Sequence, residues 1–221
     1  MIWGVLQFPG SCDERDAQHA CELAGTETRL IWQDETDLNG VDGVIVPGGF
    51  SYGDYLRVGA IAQFAPAMTA VKEFAAAGGP VLGICNGFQV LCEAGLLPGA
   101  LLTNVEMRFI CRQGDLIVGE ADSPFLSEMT AGETISIPVK HQTGRYFAPP
   151  EMLERIEANN QVAFRYAEGH NANGSVNDIA GVVNENGNVL GLMPHPEHAV
   201  DPLTGSIDGL KFFSGPAGVP A

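Results

Sequence analysis

Two hydrophobic patterns alternate along the first half of the chain. Short apolar runs stopped by glycine or proline occur at 2–8, 28–32, 43–46 and 80–84. Continuous runs of this kind predict strands buried on both faces. Between them, at 13–24, 60–77 and 86–94, apolar residues recur every three or four positions. In 60–77 the face is Ile61, Phe64, Ala67, Met68, Val71 and Phe74, which predicts an amphipathic helix. Strand alternating with helix predicts an α/β fold, a parallel sheet with helices on both faces.

The second half reads differently. Runs at 109–111, 116–118 and 134–137 alternate apolar with polar and predict antiparallel strands flanking the parallel core. Further strands are expected at 162–166, 179–183 and 189–193, and Asn186-Gly187 between the last two predicts a tight hairpin. From Gly205 the pattern predicts one short helix and a Gly/Pro tail. No repeat or linker interrupts the chain, so residues 1–221 are expected to form one domain.

Composition narrows the function classes. The chain has 221 residues, 27 acidic and 11 basic, for a formal charge of −16. Phosphate binding needs a basic face, so nucleic acid is not an expected partner, and neither is an anionic lipid surface. No apolar stretch approaches the roughly 20 residues that span a bilayer, and the N-terminus reads as a strand, with no basic leader. Five cysteines, Cys12, Cys21, Cys85, Cys92 and Cys111, include no Cys-x-x-Cys pair. Neither disulfides nor a metal site is expected, and the compartment is expected to be the reducing cytoplasm.

The most informative segment is Gly83-Ile84-Cys85-Asn86-Gly87-Phe88-Gln89. A buried strand enters a Gly-x-Cys-x-Gly turn and a helix starts at once, which is a nucleophile elbow with cysteine in the serine position. The helix N-terminus is expected to favour the thiolate of Cys85, and the backbone N–H of Asn86 to face an oxyanion. The other four cysteines read as buried or inert thiols. A nucleophilic cysteine needs a base, and the base an orienting group. Of His19, His141, His170, His195 and His198, only His195 sits in a bracketed run, Met193-Pro194-His195-Pro196-Glu197. Flanking prolines hold the backbone extended or turned, and residues two apart then project to one side. Glu197 is therefore expected to hold the His195 ring. His198 reads as a solvated loop residue and His19 as a surface one. The loop Pro47-Gly48-Gly49-Phe50-Ser51-Tyr52-Gly53-Asp54-Tyr55 follows a strand at the same sheet edge, and its glycines offer a backbone N–H to a substrate carbonyl. It lacks the Gly-Lys-Ser/Thr ending of a phosphate loop.

Pro47-Gly48-Gly49, the elbow around Cys85, and His195-Pro196-Glu197, in that order and spacing, resemble the class I (triad) glutamine amidotransferases. Gly144-Arg145-Tyr146-Phe147 and Asn173-Gly174-Ser175-Val176-Asn177-Asp178 extend the resemblance to the glutaminase subunits that serve the formylglycinamide ribonucleotide-amidating synthetase of purine biosynthesis. Gln142-Thr143 and Glu106 depart from that pattern, beside the expected glutamine pocket or subunit interface. The resemblance implies a flavodoxin-like doubly wound sheet, mostly parallel, with antiparallel edge strands. It implies hydrolysis of L-glutamine by Cys85, His195 and Glu197, an oxyanion hole from Gly49 and Asn86, and glutamine contacts from Gly48 and Gln89. It implies no cofactor or metal in this chain. ATP and magnesium would sit on a large synthetase subunit that receives the ammonia, with a small third subunit in the complex. A free-standing cysteine hydrolase or peptidase, a glutaminase for another acceptor, and a non-catalytic binding module remain open at this point.

Overall fold

The computed structural model describes residues 1–218. Eleven strands and five helices follow one another as β1 (Ile2–Gln7), α1 (Glu14–Leu23), β2 (Glu27–Trp32), β3 (Gly43–Val46), α2 (Pro66–Ala76), β4 (Val81–Ile84), α3 (Asn86–Glu93), β5 (Ala100–Leu102), β6 (Ile110–Val118), β7 (Thr134–His141), β8 (Arg145–Phe147), α4 (Pro150–Ala158), β9 (Val162–Tyr166), β10 (Ile179–Val183), β11 (Val189–Leu192) and α5 (Lys211–Ser214). Nine strands form one sheet in the order β2-β1-β3-β4-β11-β10-β9-β6-β7, and β5 pairs with β8 in a small second sheet. β2, β1, β3, β4 and β11 run parallel; β10, β9, β6 and β7 continue antiparallel.

The apolar runs explain the centre. Every residue of β3, β4, β10 and β11 is buried, because helices cover both faces and only apolar side chains tolerate that position. Trp3, Ile45, Met68, Leu82, Phe88, Phe164, Phe212 and Phe213 are fully buried, each contributing about 1.5–3 kcal/mol by leaving water. The expected hairpin is present, with β10 and β11 antiparallel on either side of Asn186-Gly187.

Three expectations change. The helix expected from residue 60 begins at Pro66, and Phe64 is 80% exposed. Proline drives the residue before it out of the helical region, and Ala65 is extended at ψ 141°. The runs at 109–111 and 116–118 belong to one long strand, β6, which pairs with β7 along its length. Helix α4 and the β5–β8 pair were not expected: only Ile156 of α4 is buried, so its periodic signal is faint. The C-terminal helix is found as α5, while the end of the expected tail, residues 219–221, lies outside the described residues. No described helix is long and apolar enough to cross a membrane.

This topology gathers chain segments at one edge. The carboxyl ends of β1, β3, β4 and β11 lie side by side, where ligands of open α/β sheets bind. The β6–β7 pair returns to the same edge: the Pro138 carbonyl accepts the His195 N–H at 2.8 Å.

Candidate active site

Cys85 follows directly on β4 with φ 50° and ψ −103°, a region that non-glycine residues seldom enter. Its N–H donates to the Leu192 carbonyl at 2.8 Å, tying the turn to the end of β11. Strain of this kind persists only where its surroundings over-determine it, and the neighbouring glycines show how. A Cβ on Gly83 would meet Leu91 Cδ1 at 2.4 Å, and one on Gly87 would stand 1.8 Å from the Val46 carbonyl oxygen. Both positions must be glycine for α3 to lie this close to β3 and β4.

Cys85 opens into a cavity of about 390 Å³ whose wall includes Cys12, Asp13, Gly49, Phe50, Asp54, Gln89, Lys140, His141, Thr143 and His195. His195 is 1% exposed, and its Nδ1 lies 2.6 Å from Glu197 Oε1, a carboxylate with no exposure of its own. That bond leaves Nε2 buried without a partner among the described residues. Gly49, at φ 142°, lies so close to the neighbouring loop that an added Cβ would be 2.6 Å from the Cys12 nitrogen. Asn86 opens α3 directly after Cys85, and its N–H acts to lower the thiol's pKa.

Other expected residues fall elsewhere. Gly48 does not line the cavity. It packs behind it, where a Cβ would strike Asp13 Oδ2 at 2.3 Å and His195 Cε1 at 3.0 Å, so its small size lets Asp13 approach the imidazole. Gln89 lines the cavity, but its carboxamide braces the wall: Oε1 accepts from Asn86 Nδ2 at 3.0 Å and Nε2 donates to the Thr143 carbonyl. The Asn86 side chain in turn accepts the Ser51 N–H at 3.1 Å. His198 is not a solvated loop residue. Its ring stacks on that of His195 at 5.2 Å, and its Nε2 meets Asp16 at 3.1 Å. His19 is exposed, and His170 Nδ1 accepts the Asp115 N–H at 2.9 Å, away from the site.

Asp13 and Lys140 were missed, and His141, weighed as a candidate base, was passed over for His195. Asp13 is 5% exposed, 2.7 Å from Lys140 Nζ and 3.7 Å from His195 Nδ1. It reads in sequence as an ordinary acid before a helix, and only the approach of β7 gives it this company. His141 is buried in the cavity wall.

The electrostatics overturn one expectation. Burial pushes the Cys85 thiol well above its usual range, Asp13 and Glu197 add to that, and Lys140 and the Asn86 N–H oppose it without prevailing. Its surroundings therefore oppose the thiolate that a helix N-terminus favours, and hold Cys85 toward the neutral thiol. Burial likewise holds the His195 imidazole neutral. Burial also raises the Glu197 carboxyl, to about 8, and with the proton of the pair on Nδ1 the imidazole presents Nε2 as a base. Ligand atoms of His195, Glu197 and His198 lie within 4.8 Å of one another, as do those of Asp13, Asp16 and His198, but most of them are already engaged with each other or with Lys140. Because Asp13 stands near Nδ1 as a second carboxylate, Glu197→Gln is expected to lower kcat by about 100-fold, short of the roughly 10⁴-fold seen where a lone orienting carboxylate is neutralised. Steady-state rates of Glu197→Gln and of Glu197→Gln with Asp13→Asn check this; an equal loss in both would remove Asp13 from the account.

Comparison with known proteins agrees with this architecture. Residues 3–210 match the family model described as a CobB/CobQ-like glutamine amidotransferase domain. A Streptomyces avermitilis protein named phosphoribosylformylglycinamidine synthase subunit PurQ is 56% identical over 220 residues, covering 96% of this chain and 94% of that one. A Rubrobacter xylanophilus protein of the same name is 58% identical over 207 residues, covering 94% and 93%. Among solved structures, a chain of PurLQS from Thermotoga maritima superposes with a TM-score of 0.90 at 44% identity, covering 98% and 97%. A glutamine amidotransferase from Thermotoga maritima shares the fold at 16% identity and a TM-score of 0.57, covering 89% and 76%.

Proposed function

The chain belongs to the CobB/CobQ-like glutamine amidotransferase domain family, and from that premise we propose that Cys85, His195 and Glu197 act together as its catalytic triad. The function itself is that of the glutaminase subunit of phosphoribosylformylglycinamidine synthase. It hydrolyses glutamine and works with a synthetase partner that uses the ammonia. The observation that carries the site assignment is the elbow. A strained cysteine opens into the same cavity as a buried histidine whose far nitrogen is held by a buried glutamate.

On this reading the neutral thiol gives its proton to His195 Nε2 as Sγ attacks the γ-carbonyl of glutamine. The oxygen takes the developing charge between the N–H groups of Gly49 and Asn86. His195 then returns the proton to the departing nitrogen, ammonia leaves, and a γ-glutamyl thioester remains on Cys85. Water activated by His195 releases glutamate. Glu197 holds the ring and stabilises the transient imidazolium. The wall carries charges of both signs, from Lys140, Asp13 and Asp54, which suits a zwitterionic amino acid. Without a phosphate loop in this sequence, ATP and magnesium are assigned to the synthetase, and a small third subunit completes the complex by analogy with PurLQS.

The synthetase is proposed to dock over the cavity mouth. Phe50 and Phe109 line the cavity and are half exposed, while Tyr55, Leu56 and Met107 are 74%, 89% and 75% exposed. Leu56 also holds φ 68°. A leucine in that conformation with almost no contacts gains nothing within its own chain, and a partner surface supplies the missing burial. The primary experiment measures glutamate release with and without the synthetase and its nucleotides. Strong stimulation is expected; a full rate from the isolated chain would instead identify a free-standing hydrolase. Leu56→Asp is expected to weaken the stimulation about 30-fold while leaving the isolated chain's low rate unchanged, and unaltered stimulation would move the docking face elsewhere.

A further inference from the structure

His141 ends the inward-facing row Ile135, Ile137, Val139 of β7. The alternation would place a fourth apolar side chain there. Instead an imidazole, in a residue 4% exposed, stands in the cavity wall with Cys85 and His195. Neither of its ring nitrogens has a hydrogen-bond partner among the described residues. Buried polar groups left unpaired destabilise a fold, so nearly all are matched by protein, water or ligand. The ring is also held in place. Asn104 Nδ2 donates to the His141 carbonyl at 3.0 Å, and Gly144 packs against the Cε1–Nδ1 edge, where a Cβ would lie 2.4 Å from either atom. That leaves Nε2, itself buried at the cavity wall, as the nitrogen a bound group would reach.

Resting on the glutaminase reading, we propose that His141 Nε2 accepts a hydrogen bond from the carboxamide nitrogen of glutamine and holds that nitrogen as it leaves as ammonia. The site must distinguish the two ends of a carboxamide. The oxygen faces the N–H donors of Gly49 and Asn86. The nitrogen has only N–H groups to offer, so its pocket needs an acceptor. His141 supplies one because burial and the nearby His195 lower its imidazole to about 4, leaving it neutral with a free lone pair. In the step itself the Cys85 Sγ–carbon bond forms and the carbon–nitrogen bond breaks. The proton taken from the thiol by His195 ends on the nitrogen, giving NH₃, and His141 exchanges no proton. One N–H bound to His141 turns the nitrogen's developing lone pair toward His195. The same acceptor disfavours the product, since a γ-carboxylate would set oxygen lone pairs against Nε2.

The test uses the complex with its synthetase. His141→Phe and His141→Leu are expected to lower kcat for glutamine hydrolysis by about 10- to 100-fold. Alkylation of Cys85 by a chloroketone analogue of glutamine, which expels chloride and no nitrogen, should stay within about threefold of wild type. His141→Asn, which keeps an acceptor, should recover part of kcat, and glutamate should inhibit the apolar variants more strongly than wild type. If kcat is unchanged in the apolar variants, or if alkylation falls in parallel with kcat, His141 shapes the wall only and the proposal is overturned. A wild-type complex that released no glutamate from glutamine would sink the glutaminase reading itself, a separate failure read from a separate sample.

Discussion

Replacing Cys85 with alanine is expected to abolish glutamine-dependent amidation, with a loss of about 10⁴-fold or more, while the same complex supplied with ammonium salts keeps its rate. The size follows from the chemistry. Removing the nucleophile deletes the covalent route entirely, and what remains is the modest acceleration from binding and oxyanion donors. The separation of the two activities follows from position. Cys85 is enclosed, 7% exposed, with its sulfur 3.8 Å from the Lys140 carbonyl in the cavity, so truncating it leaves the exposed face proposed for docking unchanged. Serine is expected to be nearly as poor as alanine. Burial and the Asp13 and Glu197 carboxylates already resist forming an anion at this site, and a hydroxyl ionises far less readily than a thiol. The measurement is amidine formation from glutamine and from ammonia, each with Cys85→Ala and Cys85→Ser. A variant that kept glutamine-dependent synthesis would place the nucleophile elsewhere.

The largest structural effect is expected at Gly87. An alanine there would place Cβ 1.8 Å from the Val46 carbonyl oxygen, a backbone atom fixed within the sheet. Neither side has a flexible chain end that can yield, so α3 must lift away from β3. Overpacking of this kind costs about 3 kcal/mol, which for a chain of this size is about 6–12 °C in Tm. The shift would carry the Asn86 N–H and Cys85 with it, so activity should fall beyond the loss of folded protein. Gly78→Ala is the control. Gly78 has φ 93° and nothing within 4 Å of a built Cβ, so its cost is backbone strain alone, about 1–2 kcal/mol. Thermal unfolding of both variants decides the matter: equal Tm values would mean that close approach of α3 to β3 is not what Gly87 provides.

The elbow, the His195–Glu197 pair and the β10–β11 hairpin were legible in the sequence because each is a local event. A strand, two glycines and a helix start fall within a few residues of Cys85, and two prolines set the spacing that brings Glu197 to 2.6 Å from His195. The alternation of buried strand and helix likewise sufficed for β1 to β4, whereas the parallel docking of β11 on β4 was not legible in it. Two local readings still failed. The apolar period carried the predicted second helix through 60–65, although the helix starts only at Pro66, which holds Ala65 extended, and the faint pattern of α4 passed unnoticed.

The rest depends on which strands meet. Asp13 and Lys140 are far apart in the chain and form an ion pair only because β7 returns to the carboxyl edge of the sheet. No periodicity encodes that return, since it comes from the antiparallel extension of the sheet as a whole. His141 differs from other histidines only in the burial that leaves both its nitrogens unpaired, and His198 only in the ring it stacks upon. The protonation of Cys85 was misjudged for the same reason. The helix start that favours a thiolate is local, whereas the desolvation and the two carboxylates that overrule it are assembled from distant segments. Sequence alone therefore determined the elbow at Cys85 and the pairing of His195 with Glu197, because short-range sterics set them. Tertiary structure decided the charge state and the shape of the pocket, because burial and electrostatics sum over everything the fold brings near.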